Sequence, residues 1–455
     1  MELRGKKIAV VGLGVSNLAL IRFLLKEGAR VTGFDQKTAA ELGERYWELA
    51  GWPIELQLGP GYLEKLRGFE LIFLTPGMKK NLPEIEKARQ EGAKIASEIS
   101  LFFEFCRAPI IGITGSAGKT TTTTLTGLVL EAEGRWPVYV GGNIGAPLIE
   151  KVRDIPPTAW VVLELSSFQL EGMTKSPTIG ALLNISPNHL DIHPSLADYV
   201  AAKENIFLHQ KEEDVAVLNW DNPWTRSMRE RAPGRVVLFS RSQELVEGAF
   251  CAGGQLVWRH GGRREEIMPR SEILLPGEHN LENVLAVLAM AKVVGVTTAT
   301  FRRVVGGFRG VEHRLELVRE LNGVKYYNDS IATAPDRTMA ALDTIKGPLV
   351  LIAGGYDKHI GFDELGQKIS ETVDYLILLG ATADKIQAAV EAAADQAKNP
   401  PRIGRVKSLE EAVSLAHAVA QPGWSVLLSP ACASYDMFSN FMERGRRFKE
   451  LVAKL

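Results

Sequence analysis

The feature that most constrains this chain is a glycine-rich loop between an apolar strand pattern and a helix pattern. Residues 109–113 (PIIGI) lead into 114–121 (TGSAGKTT), and 122–128 continue as a helical pattern. Glycines let backbone N–H groups converge on phosphate oxygens, and the N-terminus of a helix adds a favourable dipole. Lys119 would reach the β/γ-phosphates, and the hydroxyl of Thr120 or Thr121 would bind Mg²⁺. This context favours a nucleotide-binding α/β domain over a tight turn with a solvated lysine.

The loop departs from the strict phosphate-loop pattern, which has a glycine six residues before the lysine. Ile113 stands at that position, so we interpret the loop as a shortened variant. The residues of the loop that we predict to contact the nucleotide are Gly115, Ser116, Ala117, Gly118, Lys119, Thr120 and Thr121.

Two further apolar runs end in glycine-rich turns, at 7–14 (KIAVVGLG) and at 348–355 (PLVLIAGG). Short apolar strands alternating with helical patterns indicate α/β architecture with mostly parallel sheets. At roughly 150 residues per domain, 455 residues suggest three domains. We predict a Rossmann-like domain at 1–97, a central P-loop ATPase-like domain at 98–310 and a Rossmann-like α/β domain at 311–455. Short alternating strands between about 215 and 276 predict a small antiparallel patch in the central domain.

The composition excludes several classes of protein. Lys and Arg total 53 against 54 Asp and Glu, and this balance argues against a broad nucleic-acid surface. Three scattered cysteines, Cys106, Cys251 and Cys432, disfavour both a disulfide scaffold and a zinc site. No apolar run reaches the ~18 to 20 residues that a membrane helix needs. We expect a cytoplasmic protein that binds neither nucleic acid nor the membrane interior.

The first glycine loop, Gly12-Leu13-Gly14, resembles a dinucleotide fingerprint. Asp35 follows about 20 residues later at the end of the next strand pattern, where a ribose-binding acid lies in such domains. Asn17 replaces the third glycine, which leaves three interpretations: a nicotinamide-type fold that binds a different nucleotide, a true redox cofactor site, or a structural turn. Gly77 follows another strand at the same sheet edge, and this convergence favours a ligand site.

The central segment offers further candidates for the chemistry. Glu164 ends an apolar strand, and a buried glutamate is costly unless it is paired or metal-bound. It would hold Mg²⁺ if its strand lies beside the phosphate loop, and otherwise it is an acid at a solvated strand end. The segment 184–193 (NISPNHLDIH) has three potential metal ligands at alternate positions but no usual fourth zinc partner nearby, so loop or capping roles stay open for them. Lys203 lies in an amphipathic helical pattern, and from composition alone we expect a solvated lysine.

Taken in chain order, these segments resemble the Mur ligase family of cell-wall synthesis, whose members add amino acids to a UDP-linked muramic acid. The loop 115–121 resembles the family's ATP loop, and 163–169 (LELSSFQ) resembles the segment with its magnesium-binding acid. His189 in 188–191 (NHLD) matches its second-metal histidine, and Lys203 in 201–203 (AAK) matches the lysine that the family carbamylates. Residues 277–283 (GEHNLEN) and 313–316 (HRLE) resemble its H-N-x-x-N and H-R-x-E segments.

Within the family, the chain is most similar to the D-glutamate-adding member. The first glycine loop, the segment 328–333 (NDSIAT) and the segment 428–438 (LSPACASYDMF) carry that similarity. Two positions depart from the family pattern. Ile331 stands where a lysine is usual, and Ala117 replaces the usual asparagine of the ATP loop.

The resemblance implies an ATP-dependent ligase that joins D-glutamate to UDP-N-acetylmuramoyl-L-alanine through an acyl phosphate, with two Mg²⁺ ions and a carbamylated Lys203. We also expect a monomer. The implied catalytic residues are Lys119, Glu164, His189 and Lys203, and the metal ligands are Thr120, Glu164, His189 and Lys203. Further ATP contacts are Asn280, Asn283, Arg314 and Asp329. The UDP-sugar would contact Val15, Ser16, Asp35, Gly77 and Asn143, and D-glutamate would contact Thr333, Lys358, Ser434 and Phe441.

Other interpretations explain less of the chain. The nearest alternative is the L-alanine-adding member of the same family. A folylpolyglutamate synthase is a further alternative, but it lacks the N-terminal UDP domain that residues 1–97 would form. An NAD-dependent dehydrogenase with an accessory phosphate loop does not explain Lys203 or the C-terminal segment. A non-catalytic nucleotide switch would couple hydrolysis to a partner protein rather than to an acceptor amine.

Overall fold

The computed structural model describes residues 2–145, 147–186, 195–275, 277–357, 361–394 and 400–455. The chain divides into two compact units, Met1–Phe308 and Arg309–Leu455. Two sheets lie in the first unit and one in the second, and most of their strand pairs are parallel. The predicted α/β class, with mostly parallel sheets, is confirmed. The domain boundaries at 97 and 310 stay predictions.

The first sheet contains five parallel strands in the order β3-β2-β1-β4-β5. The strands are β1 (Lys7–Val11), β2 (Arg30–Asp35), β3 (Glu55–Leu58), β4 (Leu71–Leu74) and β5 (Lys94–Ala96). The helices are α1 (Val15–Lys26), α2 (Ala39–Leu42), α3 (Glu44–Ala50), α4 (Pro83–Gln90) and α5 (Glu98–Phe105). Strands β2 and β3 lie on one side of β1, and the chain then crosses to the other side of β1, where β4 and β5 lie. The carboxyl ends of β1 and β4 therefore form the switch point at which such sheets bind ligands.

The second sheet has nine strands, in the order β14-β13-β12-β11-β10-β9-β6-β8-β7. The strands are β6 (Ile110–Thr114), β7 (Val138–Gly142), β8 (Trp160–Glu164), β9 (Ile179–Leu182), β10 (Val215–Asn219), β11 (Arg235–Ser240), β12 (Gly248–Ala252), β13 (Gln255–His260) and β14 (Arg263–Pro269). Only the pairs β12–β13 and β13–β14 are antiparallel, which confirms the predicted antiparallel patch. All five residues of β6 are buried, and β6 lies between β9 and β8.

Helices on the second sheet follow from local sequence signals. They are α6 (Lys119–Glu133), α7 (Ser167–Leu170), α8 (Leu196–Glu204), α9 (Pro223–Met228), α10 (Glu278–Val294) and α11 (Thr298–Gly307), with 3₁₀ turns at Ile149–Lys151, Arg229–Arg231 and Arg270–Glu272. Helix α6 begins after Gly118 and ends before Gly134, and both glycines have left-handed backbone angles. Helix α10 is apolar around most of its surface and packs against α6. Its residues from Asn283 to Ala291 are therefore all buried.

The second unit is built on a six-stranded sheet in the order β15-β16-β20-β17-β18-β19, in which only β15 is antiparallel to its neighbour. The strands are β15 (Glu316–Leu321), β16 (Val324–Asn328), β17 (Leu349–Ala353), β18 (Tyr375–Leu378), β19 (Arg402–Arg405) and β20 (Ser425–Leu428). The helices are α12 (Pro335–Thr344), α13 (Asp363–Thr372), α14 (Ala383–Ala394), α15 (Leu409–Val419) and α16 (Phe441–Ala453). Within the described ranges, no helix combines the length and apolar character needed to cross a bilayer.

Candidate active site

The phosphate loop occupies the turn between β6 and α6, as predicted. Gly118 has φ = 85°, in the left-handed region, and closes the loop at the start of α6. A Cβ atom at Gly118 would overlap the side-chain amide of Asn283 on α10. Only glycine satisfies both the backbone angle and this close approach. The loop therefore lies directly against α10.

Side chains from neighbouring elements fix the loop backbone in place. Asn184, two residues after β9, accepts the N–H of Ala117 on Oδ1 at 2.9 Å and donates Nδ2 to its carbonyl at 3.2 Å. The hydroxyls of Ser116 and Tyr199 are hydrogen-bonded at 2.8 Å. Asn184 and Tyr199 were not among the predicted site residues. Because β9 is parallel to β6, a polar residue just past its carboxyl end was a usable signal for Asn184.

Lys119 lies partly buried in the first turn of α6, with its ammonium group directed back over the loop. Its Nζ donates to the carbonyl oxygens of Gly115 at 2.9 Å and Ser116 at 3.2 Å. A lysine at the N-terminus of a helix, beside backbone N–H groups, concentrates positive potential where phosphate oxygens bind. This arrangement suits a polyphosphate.

Glu164 ends β8, directly beside the strand that leads into the loop. Its register partner on β6 is Ile113, and its side chain is 3% exposed. Oε2 accepts the hydroxyl of Thr120 at 2.8 Å, and Oε1 accepts Nδ2 of Asn143 at 3.0 Å. The alternative of an acid at a solvated strand end is therefore wrong. The predicted residues Thr120, Asn143 and Glu164 form one hydrogen-bonded group.

Lys203 on α8 is only 2% exposed, so its interpretation as a solvated lysine is wrong. Its Nζ donates to the carbonyl of Gly115 at 3.0 Å and to Thr114 Oγ1 at 3.3 Å, and it lies 4.8 Å from the ring centroid of Tyr199. Burial, and then the nearby charge of Lys119, lower the pKa of Lys203 well below its ordinary value, while Glu164 partly opposes them.

The donor set at this loop fits magnesium. The hydroxyl of Thr120 and the carboxylate of Glu164 are the oxygen ligands that Mg²⁺ prefers, together with substrate phosphates. Within the described ranges, no group of three or more His, Cys, Asp or Glu side chains could hold a metal ion. His189, the predicted ligand of a second ion, lies outside the described residues, as does the rest of 187–194.

The asparagines of the 277–283 segment also reach the loop. Asn283, 4% exposed, approaches Gly118 and donates Nδ2 to Oδ1 of Asn280 at 3.1 Å. Both belong to the first turns of α10. The structure thus brings the predicted pair together beside the phosphate loop, while Thr121 continues the first turn of α6 after Thr120.

The predicted UDP-sugar residues of the first sheet gather at its carboxyl edge. Asp35 at the end of β2 accepts the N–H of Leu13 on Oδ2 at 2.7 Å, so its carboxylate orders the first glycine loop. Asn17 is buried and donates Nδ2 to the carbonyls of Val11 and Gly12. Val15 and Ser16 open α1, and Gly77 has φ = 82° after β4. This edge is the switch point of the sheet, which favours the ligand-site interpretation over a purely structural turn.

In the second unit, Asp329 anchors the turn that contains Arg314. Asp329 is 4% exposed and accepts the N–H of Leu315 at 3.2 Å and the hydroxyl of Ser429 at 2.8 Å. Burial raises the pKa of Asp329 to about 6, although these hydrogen bonds and the charges of Arg314 and Arg337 lower it. The exposed Arg314 follows the buried His313, whose φ is 64°.

The predicted amino-acid-binding residues lie on three segments of the second unit. Thr333 lies between β16 and α12, Ser434 follows β20, and Phe441 begins α16. The carbonyl of Phe441 accepts the hydroxyl of Ser330 at 2.8 Å, which links two of these segments. Lys358 lies outside the described residues. The buried Arg444 on α16 contacts the same segments and was not predicted from the sequence.

Family models cover most of the chain. Residues 6–97 match the "Mur ligase MurD-like, N-terminal domain", 113–291 match the "Mur ligase middle domain", and 313–432 match the "Mur ligase, glutamate ligase domain". Two curated relatives are named UDP-N-acetylmuramoylalanine–D-glutamate ligase. The relative from Symbiobacterium thermophilum is 53% identical, covering 99% of this chain and 98% of its own. The relative from Acetivibrio thermocellus is 49% identical, covering 99% and 97%.

Solved structures show the same fold at lower identity. UDP-N-acetylmuramate-alanine ligase MurC from Thermotoga maritima aligns with a TM-score of 0.53 and 21% identity, covering 99% of both chains. MurF ligase from Thermotoga maritima in complex with ADP aligns with a TM-score of 0.52 and 18% identity, covering 100% of this chain and 96% of its own. At these identities the likeness concerns the fold alone.

Proposed function

The chain belongs to the Mur ligase family, and from this membership we propose that it joins D-glutamate to UDP-N-acetylmuramoyl-L-alanine at the expense of ATP. The observation that carries the proposal is 53% identity, across 99% of the chain, to a relative named for that reaction. The hydrogen-bonded group at the phosphate loop supports the ATP-dependent part. The product would be a precursor of peptidoglycan. We further propose that the protein acts as a monomer in the cytoplasm.

ATP would bind at the loop 115–121, with its γ-phosphate near Lys119. Thr120 and Glu164 would hold one Mg²⁺ ion, and His189 with a modified Lys203 would hold a second. Mg²⁺, when bound, supplies positive charge that stabilises the phosphoryl oxygens. Asn280, Asn283, Arg314 and Asp329 are the further ATP contacts that the family resemblance implies.

We propose in addition that Lys203 acts as a carbamate. A neutral lysine amine adds to the carbon of CO₂ and loses one proton, which leaves an anionic carbamate. Burial and the charge of Lys119 favour the neutral amine that this addition requires. The anion would be stabilised by the nearby Lys119 and would serve as a carboxylate-like oxygen ligand.

The reaction would proceed in two steps, because a carboxylate does not condense with an amine in water. An oxygen of the L-alanine carboxylate attacks the γ-phosphorus of ATP, the bond to the β–γ bridging oxygen breaks, and ADP leaves. The neutral amine of D-glutamate then attacks the acyl carbon, loses a proton, and the carbon–oxygen bond to phosphate breaks. Lys119 offsets negative charge in the first step, and positioning of the reactants supplies most of the rate.

The remaining substrates would occupy the edges described above. The UDP-sugar would bind at the carboxyl edge of the first sheet, near Val15, Ser16, Asp35 and Gly77, and its muramoyl part would reach Asn143. D-Glutamate would bind near Thr333, Lys358, Ser434 and Phe441. Its two carboxylates need cationic and hydrogen-bonding partners, which the family resemblance assigns to these positions.

Phosphate release with a panel of amino acids tests the proposal. The purified protein is mixed with ATP, Mg²⁺ and UDP-N-acetylmuramoyl-L-alanine, and then with D-glutamate, L-glutamate, L-alanine or D-alanine. We expect release with D-glutamate alone, and its loss in Lys119→Ala with retention in Lys151→Ala. Release with L-amino acids and not with D-glutamate would refute the substrate assignment.

A further inference from the structure

Arg444 is a buried cation that forms no salt bridge among the described residues. It belongs to α16, and its side chain is 2% exposed. Burial lowers the pKa of Arg444 to about 10, although the charge of Asp436 partly opposes this, so the guanidinium group stays protonated at neutral pH. A buried arginine is usually paired with an anion, because removal of its charge from water is costly. Other contacts must therefore compensate for the burial of this charge.

The guanidinium group instead donates to four neutral acceptors on two loops. Nε donates to the hydroxyl of Ser330 at 3.0 Å, and Nη2 donates to the Ser330 carbonyl at 2.9 Å. Nη2 also donates to the carbonyl of Cys432 at 3.1 Å, and Nη1 donates to that of Ala433 at 3.3 Å. The planar fork thus joins the loop after β16 to the loop after β20.

Each of these contacts lies within three residues of a position assigned to the D-glutamate pocket. Ser330 precedes Thr333 by three residues, and Ala433 immediately precedes Ser434. The Ser330 hydroxyl also donates to the carbonyl of Phe441, at the beginning of the helix that contains Arg444. The three segments of the pocket are therefore held together by the Arg444 guanidinium group and the Ser330 hydroxyl that accepts from it.

The turn after β17 is hydrogen-bonded to one of the carbonyls that Arg444 contacts. The carbonyl of Ala433 accepts the N–H of Tyr356 at 2.9 Å as well as Nη1 of Arg444. A Cβ atom at Gly355 would lie 3.3 Å from Nη1. The guanidinium group thus lies beneath the turn that leads toward residue 358.

We propose that Arg444 is a positioning residue for the amino-acid substrate, which sets the spacing between Thr333, Ser434 and Phe441 through the Ser330 and Cys432-Ala433 loops. This inference rests on the proposed function and adds to it the element that shapes the D-glutamate pocket. A lysine keeps the charge but has three donors on a single nitrogen, so it cannot span both loops as the fork does. A misplacement of about 1 Å in such a pocket costs up to about 100-fold in catalysis.

The test compares Arg444→Lys with Arg447→Lys, a matched control one turn further along α16. Arg447 is only partly buried and pairs with Glu410 and Glu450, away from the two loops. Initial rates are measured while D-glutamate, ATP and UDP-N-acetylmuramoyl-L-alanine are varied in turn. We expect Arg444→Lys to raise the KM for D-glutamate 10-fold to 100-fold, with the other two KM values within about 2-fold. Arg447→Lys is expected to leave all three unchanged.

Distinct outcomes separate this inference from the proposed function. If the wild-type protein does not use D-glutamate, the proposed function fails and the inference fails with it. If the wild type is active and Arg444→Lys leaves the KM for D-glutamate within 2-fold, or raises all three KM values equally, only the inference fails. If Arg444→Lys does not fold, Ser330→Ala decides, since it removes the shared hydroxyl. A selective rise of several-fold in the KM for D-glutamate supports the inference, and an unchanged KM overturns it.

Discussion

The substitution Glu164→Gln separates the charge of this side chain from its shape. Glutamine keeps the volume of glutamate and can keep both hydrogen bonds. Its Oε1 can accept Nδ2 of Asn143 as the carboxylate does, and its Nε2 can donate to the hydroxyl of Thr120, which then reverses its role from donor to acceptor. The fold of the site is therefore expected to survive, while one negative charge is removed.

The expected effect on stability is small. Hydrogen bonds to a charged group contribute about 1.5–3 kcal/mol, against about 1 kcal/mol for neutral ones. Two weakened bonds would therefore destabilise the protein by about 1 to 4 kcal/mol before any compensation. The amide also avoids the desolvation cost of a carboxylate that is 3% exposed, which offsets part of this loss. We expect a shift of only a few degrees in Tm.

The expected effect on activity is much larger. One unit of charge at about 4 Å is worth about 4 kcal/mol at an effective dielectric constant of 20. Loss of most of that energy from the metal and phosphate site corresponds to a decrease of about 10² to 10³ in kcat/KM. Because a metal ligand is weakened, higher Mg²⁺ concentrations should recover part of the rate.

The assay is phosphate release over a range of Mg²⁺ concentrations, together with a thermal melt of each protein. Glu133→Gln is the matched control, because Glu133 at the other end of α6 also accepts a threonine hydroxyl, that of Thr297 at 3.0 Å. Its side chain is 5% exposed, and it lies about 21 Å along the helix from Lys119. Full activity of Glu164→Gln at low Mg²⁺, or an equal loss in Glu133→Gln, would refute the reasoning.

Two further predictions concern buried ionisable groups. Lys203→Ala is expected to be nearly inactive, and high bicarbonate should not restore it because no amine remains to be carbamylated; full activity would remove the carbamate role. Burial raises the pKa of Asp329 to about 6 from an ordinary 3.8, so the folded state keeps a proton that the unfolded chain releases between these values. The free energy of unfolding should therefore fall as pH rises through that window, by roughly 3 kcal/mol from this group. About half of that decrease, roughly 1.4 kcal/mol, falls between pH 5 and pH 7.5. Denaturant unfolding at these two pH values checks this, since Asp329→Asn should lose this part of the dependence, and parallel behaviour of both proteins would contradict it.

The phosphate loop and Glu164 were predictable because their signals are local. A strand, a glycine turn and a helix follow one another in the chain, and parallel strands bring their carboxyl ends to one edge. An acid at the end of an apolar strand could therefore be placed beside the loop. The parallel pairing in the first sheet follows from the same rules, since helices separate most of its successive strands.

Lys203 and Arg444 could not be placed from local signals in the sequence. Lys203 was identified through the family resemblance, because its burial arises from packing against Gly115 and Thr114, almost 90 residues earlier in the chain. Arg444 bonds to Ser330, 114 residues away, and mostly to backbone carbonyls. Every residue has a carbonyl, so no pattern of side chains in the sequence marks these partners.

The transfer of ¹⁸O from substrate to phosphate tests the central claim most directly. UDP-N-acetylmuramoyl-L-alanine labelled with ¹⁸O on both oxygens of its alanine carboxylate is converted with ATP and D-glutamate, and the released phosphate is analysed by mass spectrometry. Attack of the carboxylate on ATP followed by expulsion of phosphate predicts one ¹⁸O atom in each phosphate and one in the new amide. Unlabelled phosphate, released at the same rate as the amide forms, would contradict the acyl-phosphate mechanism.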